Sequence, residues 1–129
     1  MGAVVAAVGA LVPAATWFVA DVEATGASGF RDASAKPREV GSTEMLLQQV
    51  AGVDQFLRGV LVAIPPSTPA VFRSAELWTE DDESADLGSA VAEIRAFDTS
   101  YIDVATVMES ILSAVSTRFS AVLRGDDPC

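Results

Sequence analysis

Histidine and asparagine are absent from the chain, and cysteine and lysine each occur once. Without histidine there is no side chain whose unperturbed pKa lies near neutrality, and no imidazole to serve as a general base or metal ligand. Cys129, on its own, closes no internal disulfide, so folding does not depend on oxidation, and we read it as a free thiol. Missing asparagine removes every N-glycosylation sequon. Together these absences argue against an enzyme built on histidine, thiol or metal chemistry. No cofactor and no metal site are expected.

Basic residues are also scarce, eight against eighteen acidic ones, for a net charge of -10. They are scattered singly from Arg31 to Arg124 and form no patch, so a phosphate backbone would be repelled and nucleic acid is excluded as a partner. The glycines are dispersed and none is followed by a lysine-hydroxyl pair, which leaves nucleotide binding unsupported. The excess of arginine over lysine reads as a compositional bias. Half of the 129 residues are apolar, enough for one folded domain that buries about 65% of its unfolded surface.

The apolar residues are most concentrated at the start. From Ala3 to Ala20 there is no charge, and eighteen residues is the lower limit for a membrane span. Pro13 interrupts the run, seven of its residues are alanine, and Asp21 and Glu23 follow it. No basic residue precedes it, which argues against a signal peptide. Pairs of small residues four apart, Ala3 with Ala7 and Ala6 with Ala10, would let a helix approach another closely. We therefore expect an apolar helix over residues 1–20, inserted in a membrane or packed on other subunits. Its expected partner-binding residues are Val4, Val8, Leu11, Val12, Trp17 and Phe18, with Trp78 as a further anchor. Gly2, Leu11, Val12 and Pro13 resemble the glycine-to-proline apolar stretch of pilin-like proteins. The acidic residue usual in that stretch is missing, with Ala7 near its place, and membership of the family does not follow.

Residues 21–42 lose hydrophobic periodicity and gain glycine, serine and Pro37, which reads as a linker. Ser42 or Thr43 can cap a helix in which Leu46, Val50, Val53, Leu57, Val60 and Ile64 recur at steps of three and four, ending before Pro65. A second long helix is expected from Thr99, with Tyr101, Val104, Met108, Ile111, Val115, Phe119 and Val122 on one face and Gly125 at its end. Between the two, residues 70–79 and 90–98 alternate well enough for a β-hairpin around the acidic loop at 80–86. The expected fold class is mainly α: two long amphipathic helices plus the apolar N-terminal helix, with α+β as the alternative if the hairpin forms. The expected division is an N-terminal helix at 1–20, a linker at 21–42 and a small helical domain at 43–125.

Two groups of residues could carry chemistry. Asp82, Ser84, Asp86 and Glu93 match positions 1, 3, 5 and 12 of a calcium loop. Leu87 occupies the place of the obligatory turn glycine, Gly88 comes one position late and Ser89 replaces the apolar anchor, so a solvated acidic turn is the better reading. Asp98, Tyr101 and Asp103 could cluster at a helix start, where capping accounts for them. The serines of the last helix lack a base. The expectation is a non-catalytic structural or accessory subunit of a membrane-associated or symmetric assembly, viral or filament-like ones included, rather than a free cytoplasmic protein. Its expected partners are other protein subunits. The alternatives are an acidic module that captures a basic partner through residues 80–86, and a small carboxylate-based enzyme or ligand-binding domain.

Overall fold

A computed structural model describes residues 1–26, 30, 34–81, 86–97 and 101–118. The elements run α1 (Gly2–Leu11), β1 (Thr16–Gly26), β2 (Arg38–Gly41), α2 (Thr43–Ala51), β3 (Val53–Ile64), β4 (Ala92–Phe97), β5 (Tyr101–Thr106) and α3 (Glu109–Arg118). The strands form a single antiparallel sheet in the order β2-β1-β3-β4-β5. The fold is therefore sheet-dominated, and the expectation of a mainly α protein is corrected.

Each correction has a physical cause. β3 holds the run Val60, Leu61, Val62, Ala63 and Ile64, every residue of it buried, because this central strand is covered on both faces. Such a run contains steps of three and four as readily as steps of two, so the expected helix over 44–64 is in fact a short α2 followed by a strand. Ser42 does cap α2, accepting a hydrogen bond from the Met45 N–H at 3.2 Å. Among the described residues the expected helix from Thr99 likewise divides into β5, rich in β-branched residues, and α3, while Phe119, Val122 and Gly125 lie outside them. Residues 90–98 contain β4, but 70–79 form no strand, and β4 pairs with β3 and β5 instead of closing a hairpin.

The apolar N-terminal run divides in the same way. α1 ends at Leu11, and Thr16 to Ala20 belong to β1. Ten helical residues span about 15 Å, half of a bilayer's hydrocarbon core. Among the described residues no helix is long and apolar enough to cross a membrane, so the expected membrane-inserted helix is not present.

The three helices cover one face of the sheet. Val4, Val5 and Val8 of α1, Val12 just after it, Leu46 and Val50 of α2, and Ile111 and Val115 of α3 meet Trp17, Val19, Leu61, Ile94 and Val104 there. Trp17 is fully buried, and its indole N–H donates to Thr43 Oγ1 at 2.9 Å, fixing β1 to the start of α2. The opposite face is covered by the described part of the connection from β3 to β4, residues 65–81 and 86–91, which we call the strap. Leu77, Leu87 and Ala90 of the strap, with Phe72, pack on Phe18, Ala20, Val60, Val62 and Ile64. Phe18 and Phe72 meet edge to face at 5.1 Å between centroids.

Candidate interaction surface

The described part of the strap has no ladder of its own, and starts from Pro65, Pro66 and Pro69, so its backbone groups need partners elsewhere. Ser89 closes its two ends: its N–H donates to the Val71 carbonyl at 2.7 Å, and its hydroxyl donates to the Pro69 carbonyl at 2.8 Å while accepting from the Val71 N–H at 2.8 Å. The Leu77 N–H donates to the Ala35 carbonyl at 2.7 Å.

Charged side chains then clamp the strap to the sheet. In β1 a register shift follows Ala20, and Asp21, at φ 51°, turns its carboxylate toward the strap. Asp21 Oδ2 accepts from both the N–H and the hydroxyl of Thr79, at 3.0 and 2.9 Å. Its Oδ1 lies 3.0 Å from Arg58 Nε as a charge contact without hydrogen-bond alignment. Arg73 bridges Glu93 on β4, at 3.0 and 3.2 Å, and Asp81 in the strap, at 2.8 Å. Arg95 Nη1 donates to the carbonyls of Thr79 and Asp81, and its Nη2 to Asp103 on β5 at 3.0 Å. Burial alone would raise the Asp81 pKa. The Trp78 N–H, the Arg73 guanidinium bond and the charges of Arg73 and Arg95 outweigh it and hold the group below its ordinary value.

This network anchors a short stretch in which buried and exposed residues alternate. Leu77 and Thr79 are each 1% exposed, whereas Glu76, Trp78 and Glu80 face solvent. Trp78 is 46% exposed. Its backbone is locked in a turn with Asp81: the Trp78 N–H donates to Asp81 Oδ2 at 2.9 Å, and the Asp81 N–H to the Trp78 carbonyl at 3.1 Å. The result is an indole held on a fixed turn between two exposed carboxylates. An indole face attracts a guanidinium or ammonium group, and flanking carboxylates strengthen that attraction.

The residues expected to bind a partner fall into two groups. Val4, Val8, Val12 and Trp17 lie inside the chain's own core, and Phe18 is half-buried under Phe72. Leu11, 40% exposed, and Trp78 reach solvent, on different elements. Of the calcium-loop residues, Asp82 and Ser84 lie outside the described residues, and Glu93 is engaged by Arg73. Among the described residues no group of three or more acidic or cysteine side chains is placed to hold a metal. Asp98 is likewise outside the described residues, and Asp103 is paired with Arg95. Arg73, Arg95 and Asp21 were not singled out from the sequence, although isolated arginines in so acidic a chain are a signal of internal ion pairs. No protein-family model, curated protein or solved structure matches the chain.

Proposed function

We propose that the protein is a non-catalytic binding module that captures a basic protein segment on the strap surface formed by Glu76, Trp78 and Glu80. The observation that carries this reading is the solvent-facing Trp78, fixed between the buried side chains of Leu77 and Thr79 and flanked by carboxylates. Tryptophan leads the residues that dominate binding energy at interfaces, and a rigid turn lowers the entropy lost when it docks. The net charge of -10 supports a basic partner, because the arginines of the described core, Arg58, Arg73 and Arg95, are neutralised by ion pairs within the fold. The Leu11 end of α1 provides an apolar spot, but residues 3–20 around it in the chain carry no charge, which makes it the weaker anchor for a basic partner.

Selection from a random-peptide display library against the full chain tests the reading. Enriched peptides should carry arginine or lysine, bind less tightly as salt is raised, and lose at least about tenfold in affinity to the Trp78→Ala variant. Peptides without basic residues, or binding indifferent to Trp78→Ala, would overturn it.

A further inference from the structure

The two edges of the sheet are treated differently. β2, at one edge, is four residues long, follows Pro37, exposes Arg38 and Glu39, and joins β1 with a register shift between Trp17 and Phe18. Short length, charge, proline and irregularity are the devices by which proteins block pairing at an edge. β5, at the other edge, lacks the proline and the irregularity: its six residues, Tyr101 to Thr106, pair regularly with β4 and contain neither proline nor lysine. Its one charge, Asp103, is held by Arg95 at 3.0 Å. Among the described residues β5 pairs with β4 alone.

The register identifies which backbone groups face outward. The Val107 N–H donates to the Val91 carbonyl, so residues 101, 103, 105 and 107 direct their backbone groups toward β4. The alternation of an antiparallel strand then turns the N–H and C=O of Ile102, Val104 and Thr106 away from the sheet. These three positions are symmetric about Val104. An antiparallel copy of the same strand pairs all of them at once, with Val104 opposite Val104 and Ile102 opposite Thr106. The same register sets Val107, which is 65% exposed, opposite position 101 of the second copy, and sets Asp103 opposite Ala105, so no like charges face each other.

We propose that the protein forms a symmetric dimer through its β5 edges, centred on Val104, which joins the two sheets into one. This does not depend on the basic-partner reading, since the Trp78 turn and the β5 edge use different residues.

Sedimentation equilibrium on the full chain, together with spin labels on a Val107→Cys, Cys129→Ser variant, tests the dimer. Val107 and its counterpart would be separated by six strand positions, so the expected result is a dimer with one label distance centred near about 20 Å. Ile102→Pro, which removes an outward N–H and leaves the β4 ladder untouched, should return the protein to monomer with its circular dichroism unchanged. Where that variant fails to fold, the label distance still decides. A full chain that stays monomeric with rising concentration, or a dimer with another label distance, overturns the proposal.

Discussion

The two tryptophans separate what the chain uses for folding from what it offers outward. Trp17 is fully buried and donates to Thr43 across the β1–α2 junction, while Trp78 makes its fixed contacts through the backbone. Trp17→Phe keeps most of the apolar volume but leaves a void and loses the indole hydrogen bond, which should cost about 2 kcal/mol in urea unfolding. Trp78→Ala should change stability by no more than about 0.5 kcal/mol. A large loss for Trp78→Ala would mean that its ring is part of the fold, and the strap would lose its claim as a binding surface. Gly88 marks a backbone constraint of another kind. It has φ +65°, and a Cβ there would collide with the Val71 carbonyl, so Gly88→Ala should destabilise by more than about 1 kcal/mol and loosen the strap at Ser89.

At the scale of the element, the strap's attachment depends on charge and hence on pH. Asp81 has a folded pKa below its unfolded value, so its contribution is fully present above about pH 4, the ordinary aspartate range, and is lost as pH falls through the lower folded pKa. Amide exchange at Trp78 and Thr79 should therefore accelerate relative to β3 on acidification below about pH 4. Asp81→Asn should loosen the strap at neutral pH and flatten the dependence. Equal acceleration in strap and sheet would show that the fold opens as a unit.

The same elements show what the sequence made legible. The Ser42 cap, an element boundary before Pro65 (though of a strand and not of the expected helix) and the core positions Leu46, Val50, Ile111 and Val115 could be read, because capping and proline chemistry are local. The identities of β3 and β5 could not. Val53, Leu57, Val60 and Ile64 fit a helical stripe, and only the cover on both faces, a tertiary fact, makes Leu61 and Ala63 equally buried. The sequence offered Trp78 either as a core residue or as a partner-binding one, and the structure leaves it exposed. The Asp21, Arg73 and Arg95 clamps that hold it depend on pairings up to 58 residues apart, beyond the reach of any local pattern.

For the whole molecule, the decisive issue is whether the apolar N-terminus is an appendage or part of the core. An appendage could be removed without harm. Here α1 packs on α2 and α3, burying Val4, Val5, Val8 and Val12 in the larger core cluster. The approach to α2 is so close that a Cβ on Gly9 would overlap the Thr43 side chain, the group that receives the Trp17 hydrogen bond. Each of those valines contributes about 1.5 to 3 kcal/mol by burial, and their sum is comparable to the entire stability of an ordinary domain, about 5 to 15 kcal/mol. Deleting residues 1–12 should therefore abolish cooperative thermal unfolding monitored by circular dichroism, and the product should bind a hydrophobic dye or aggregate. Gly9→Ala, a far smaller lesion, should lower the midpoint while leaving the transition cooperative. A truncated chain that still melts as a well-folded monomer would return α1 to the surface and free its valines for a partner.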